Sequence, residues 1–210
     1  MADLRPGLRK LVLTVHLTFS IGWIGAVVTY LVLGFSAVTS RDAQPIRAAW
    51  TAMELIGWSA IVPLALGSLL TGLVISLGTP WGLFRHYWVL ISFGLTVFSV
   101  VILLLHMPTV SSLAQVAREA DVAGLRGLGG DLLHPGIGLL VLLVITVLNV
   151  YKPRGLTPYG RRKQLEAGVE SELELANTSS PWVKTIGIFA LGLVLLFAIL
   201  HVITGGVRHH

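Results

Sequence analysis

The chain has 210 residues, 54% of them hydrophobic and 12% charged, with a net charge of +5. Soluble domains carry about 25% charged residues, so this composition, with a mean hydropathy of +0.83, belongs to a membrane protein. There is no cysteine, which excludes disulfides, thiolate metal sites, iron–sulfur clusters and thioether-linked haem.

Any metal must therefore be held by His, Met, carboxylate or carbonyl ligands. No basic block interleaved with aromatics points to nucleic acid, and the positive charge reads as loop charge facing anionic lipid. The opening MADLRPGLRK is basic like the start of a signal peptide. The apolar run behind it is too long for one, and no small-residue cleavage site ends it, so a retained first transmembrane helix is expected.

Five spans are expected, over residues 11–35, 50–77, 87–106, 133–151 and 182–204. The first, LVLTVHLTFSIGWIGAVVTYLVLGF, is about 25 residues, enough at roughly 1.5 Å per residue to cross a hydrocarbon core of about 30 Å. The expected fold is all-α: one transmembrane domain over 1–210, a four-helix-bundle core plus one helix. The connection GTPWGLFRH is short, so the helices it joins are antiparallel neighbours.

Between the third and fourth spans, residues 107–132 contain SSLAQVAREADVAGL. Leu113, Val116, Ala117 and Ala120 stand at helical spacing there, predicting a short helix lying on the membrane surface. The loop 152–181 changes sign from RRK to EAGVESELE and reads as a solvated, partly helical connector. With the N-terminus inside, ten Lys and Arg fall on the inner side and five on the outer. The charge rule then favours N-in, C-out, in the inner (cytoplasmic) membrane of the cell.

This topology sorts the histidines by depth. His16 lies about 8 Å past Leu11 on the inner side. It shares a helix face with Ser20 and Trp23, and an ionisable ring at that depth is costly unless it points into the bundle. His86 stands beside Arg85 at the inner mouth of the third span. His106 ends the third span, His134 opens the fourth, His201 lies near the end of the fifth, and Glu54 is toward the outer face of the second. Three histidines and a carboxylate thus come to one level.

Arg85, Ser92, Ser99 and His106 recur every seven residues, with Thr96 close by, so this line is expected to face the bundle. His134 precedes Pro135, an N-cap-like place with Pro at the first helical position. Neutral imidazoles from different helices are the usual axial ligands of a membrane b-type haem. The outer set is the better matched for height, His16 and His86 differing by about 6–8 Å. Copper could use the same outer set, with Met107 or Met53 as a soft ligand. Against both stands a cofactor-free structural or partner-binding protein, whose histidines are interfacial and whose Trp50, Trp81, Trp88 and Trp182 form an aromatic belt.

The segment HLTFSIGWIG, His16 to Gly25, resembles the first helix of the CopD-like superfamily of bacterial membrane proteins, with a His and then a Trp–aliphatic–Gly. A stronger likeness is to a bacterial integral membrane family of unknown function near that group. AMELIGW (52–58), GTPWGLFRHYWVL (78–90) and YKPRGLTPYG (151–160) carry it. Fold relatives include copper-resistance proteins and the HemJ-type protoporphyrinogen oxidases, helical bundles that bind haem. The resemblance implies a haem-site role for His16 and no other catalytic residue.

The function expected is a multi-pass protein binding haem b for electron transfer or a membrane redox step, exchanging electrons with a quinone or a redox partner protein. His106, His134 and His201 are the ligands that depth favours. His16 is the one the resemblance favours, with His86 and Arg85 as partners for propionates or a second haem. The metal alternative uses His106, His134, His201 and Glu54.

Overall fold

The computed structural model describes residues 4–79, 82–128 and 130–166, with separate positions between 185 and 199. Among these residues the elements are α1 (Pro6–Thr39), α2 (Ala43–Ile56), a π turn (Gly57–Ile61), α3 (Val62–Leu77), α4 (Tyr87–Glu119), α5 (Val122–Gly127), α6 (Leu133–Tyr151) and α7 (Pro158–Glu166). Among the described residues four helices are long and apolar enough to cross a membrane: Pro6–Thr39, Ala43–Leu77, Tyr87–Glu119 and Leu133–Tyr151. The protein is an all-α, multi-pass membrane protein. The fifth span expected over 182–204 falls largely outside the described residues.

Local chemistry sets the helix limits. Pro6 opens α1, where its missing N–H costs no intrahelical bond. Within the helices, hydroxyls return to their own backbone: Thr14 to Lys10 O (3.0 Å), Thr29 to Gly25 O (2.9 Å), Thr96 to Ser92 O (2.8 Å) and Thr146 to Leu142 O (2.8 Å). In hydrocarbon an unbonded hydroxyl is costly, and this bond removes the cost without another helix. Thr96 thus satisfies its hydroxyl within its own helix.

The second crossing helix changes pitch in the middle. Val62 N–H bonds to Gly57 O, five residues back instead of four. Pro63 follows directly, and a proline ring clashes with the carbonyl four positions before it. Widening the preceding turn relieves that clash, which is the physical reason for a π turn here. Gly57 also makes room for a neighbour: a Cβ there would lie 2.5 Å from Met107 Cε.

The short surface helix predicted around 111–125 is not separate. α4 runs unbroken through Pro108 to Glu119. One lost N–H does not end a helix whose face is well packed, and Met107, Val110, Ala114 and Ala117 are all buried to within about 1%. Val116, expected on the apolar stripe, is 47% exposed. Only α5 stands apart, capped by Asp121, whose Oδ1 accepts the Gly124 N–H at 2.8 Å.

Packing divides the chain into two units. One comprises Met1–His16, Leu69–Phe98 and Val141–His210. In it Leu4 N–H bonds Gly78 O (3.1 Å), and residues 84–87 pair antiparallel with 155–157. The other comprises Leu17–Ser68 and Ser99–Leu140. In it α1 packs on α3 through small residues, since a Cβ on Gly67 would lie 2.8 Å from Phe19 Cδ2 and one on Gly22 3.2 Å from Leu64 Cδ2.

Candidate metal centre

The strongest polar cluster lies in the second unit and centres on Asp131, in the loop before α6. Its Oδ2 accepts a hydrogen bond from the Tyr30 hydroxyl at 2.9 Å and lies 2.6 Å from His106 Nε2. Its Oδ1 lies 3.7 Å from His134 Nδ1. The three side chains are only 10–13% exposed. The His106 and His134 rings stack, with centroids 4.0 Å apart and planes 17° from parallel.

Burial works against a charge on Asp131. Hydrogen bonds and attraction from His106 and His134 outweigh it and hold the carboxyl well below the usual carboxylate range. The ionised group can only accept, so His106 Nε2 and Tyr30 OH must both donate to it.

Sequence dictates how these groups meet. His106 is carried by α4. Asp131 and His134 are three apart at the opening of α6, so they reach the same side. α6 begins at Leu133, one residue before His134, and Gly136 N–H bonds Leu132 O at 3.0 Å. Pro135 therefore falls in the first turn, where a missing N–H is harmless. On α1, Trp23, Tyr30 and Ala37 are buried at heptad spacing, the line that starts at His16. Two glycines let the loop approach: a Cβ on Gly34 would lie 3.0 Å from Asp131 O, and one on Gly130 only 2.4 Å from Gly34 O.

One nitrogen from each of His106 and His134 and one Asp131 oxygen lie within 4.8 Å of one another, a set that fits a metal ion. Two imidazoles and a carboxylate suit a divalent transition metal. With bonds of about 2.0–2.1 Å and tetrahedral angles, adjacent ligand atoms stand roughly 3.3 Å apart. An ion would thus spread the 2.6 Å His106–Asp131 contact by under about 1 Å and draw in the 3.7 Å contact.

The other expected ligands go elsewhere. Glu54 Oε2 accepts from Arg118 Nη1 at 2.8 Å, so its carboxylate serves an ion pair between α2 and α4 and is not part of the cluster. His201 lies outside the described residues. Met53 and Met107 are core residues, exposed 0% and 1%.

In the first unit His16 Nδ1 bonds Thr71 Oγ1 at 3.0 Å, with its ring over Gly72. His86 belongs to the bridge with Leu156, its ring 6.4 Å from that of Trp88. The Arg85 side chain packs on Gly82, whose φ of +57° favours glycine. All three residues belong to this first unit.

Ser20 and Ser68 bond each other at 2.9 Å in the second unit, and Trp23 is buried, as the face read from His16 to Trp23 implies. Sequence reasoning missed Asp131 and Tyr30. The heptad from His16 was the signal for Tyr30, and the three-residue step to His134 the signal for Asp131. No protein-family model, curated protein or solved structure matches this chain, so the likeness to CopD-like and HemJ-like bundles rests on sequence motifs alone.

Proposed function

We propose that this is an inner-membrane protein, oriented N-in, that binds one divalent transition-metal ion through His106, Asp131 and His134. Copper stands first, because divalent copper binds most nitrogen and oxygen ligand sets more tightly than its neighbours in the series. The function is metal handling in the membrane or a redox step at that ion, with a quinone or partner protein as electron exchange partner in the second case. The observation that carries the reading is the convergence of two imidazoles on one buried carboxylate, with Tyr30 orienting that carboxylate as metal ligands are usually oriented.

Haem b has less support at this cluster. Its two axial rings must stand on opposite faces of the macrocycle, yet centroids 4.0 Å apart are already in direct contact. A second reading has its own support: both short bonds to Asp131 Oδ2 are complete without an ion. In that reading the cluster is a structural staple.

The deciding experiment is titration of the detergent-purified, metal-stripped protein with Cu(II) and Zn(II), read by calorimetry and by bound metal after gel filtration. One ion per chain, lost in His134→Ala, is expected. No retained ion leaves the staple. A Soret band that His16→Ala abolishes transfers the reading to haem at the inner position.

A further inference from the structure

The two sequence motifs that the metal centre does not use, GLFRHYW and PRGLTPYGRRK, dock on each other. Tyr87 N–H bonds Gly155 O at 3.2 Å and Thr157 N–H bonds Arg85 O at 3.0 Å. The Thr157 hydroxyl donates to Phe84 O and accepts the Gly160 N–H at 3.1 Å, capping α7. The start of α1 joins the same end through Leu4 and Gly78. Residues 155–160 are therefore held down on these helix ends.

Charge is concentrated there. The described residues of this unit hold nine Lys and Arg: three at the start of α1, Arg85, and five between Lys152 and Lys163. They hold one acidic residue, Glu166, which Arg162 and Lys163 already engage at 3.1 and 2.8 Å. The other unit holds four Arg against five Asp and Glu. Arg154 and Arg161 are exposed. Three tyrosines ring the same end, Tyr87, Tyr151 and Tyr159, exposed by 38%, 78% and 52%.

We propose that this end is a docking surface for anionic phospholipid headgroups, with Arg154 and Arg161 as principal contacts. The cations lie within a turn or two of four apolar helix ends, at the height of the headgroups of that leaflet. Exposed tyrosines at the same height are the usual interfacial anchors. Attraction of a juxtamembrane cation to an anionic leaflet is worth roughly fivefold in affinity per charge. This surface is independent of the metal centre.

The test uses the full chain in nanodiscs of phosphatidylcholine alone or mixed with phosphatidylglycerol. Native mass spectrometry counts retained lipids, and thermal unfolding gives Tm. The wild type is expected to retain phosphatidylglycerol preferentially and gain Tm from it. R154Q/R161Q is expected to lose roughly 25-fold in that preference, and R154K/R161K to keep it. Equal retention of both lipids by the wild type overturns the proposal, whatever the variants do. So does glycerol phosphate reproducing the Tm gain in phosphatidylcholine discs, which marks a free-anion site.

Discussion

His106 Nε2 lies 2.6 Å from Asp131 Oδ2, the shortest link in a set that also includes Tyr30 and His134. Replacing Asp131 by Ala leaves a buried imidazole N–H and a phenol without their acceptor. A loss of about 2–4 kcal/mol is expected, with metal binding abolished. Asp131→Asn should lose the metal with a smaller fall in Tm, since an amide oxygen still accepts. Thermal unfolding in detergent, with and without added Cu(II), separates the two effects.

Tyr30 touches the carboxylate but supplies none of the three grouped ligand atoms. Tyr30→Phe is expected to cost about 1–2 kcal/mol and to weaken the metal roughly tenfold, as loss of an orienting group does elsewhere. Calorimetric titration of the variant measures the second number. An unchanged affinity would show that the phenol only braces the fold.

The depressed Asp131 titration sets the acid response of the metal-stripped protein. A carboxyl held below its unfolded value stabilises the fold fully above that value and ceases to do so as pH falls through the folded one. From neutrality down to about pH 4 this group should therefore cost nothing, its loss appearing only at lower pH. Wild type and Asp131→Asn should accordingly keep a Tm gap down to about pH 4, converging only below it.

Gly130 offers a test that alters no ligand. A Cβ there meets backbone, the Gly34 carbonyl, at 2.4 Å, and backbone cannot swing aside as a side chain can. Gly130→Ala is expected to push the loop off α1, costing about 1–3 kcal/mol and most of the metal affinity. Retention of full affinity would separate the loop position from the site.

Much of the architecture was legible because long apolar runs have one stable answer in lipid. The four spans follow from that, and so does the buried heptad of α1. What failed was the point where α4 leaves the apolar layer: helical periodicity continues across the boundary, and the helix runs on through Pro108. Glu54 was assigned by depth alone, and depth does not reveal that Arg118 sits opposite. Asp131 looked like a loop residue in GLGGDLLHP, since nothing local records that Gly34 admits it to a buried position.

The extra residue in the Gly57–Ile61 turn is absorbed without a change of phase along its helix. A π turn closes about the same angle as an α turn but with one residue more, so excising one residue from it would restore the ordinary pitch and leave the following stretch facing as before. Ser68 would then keep its place against Ser20, whereas a deletion in the regular helix between the turn and Ser68 would rotate it away by about 100°. The turn is thus the one stretch of this rod where a residue can be lost without scrambling which side is greasy and which is wet, the cost being the renewed clash with the ring of Pro63.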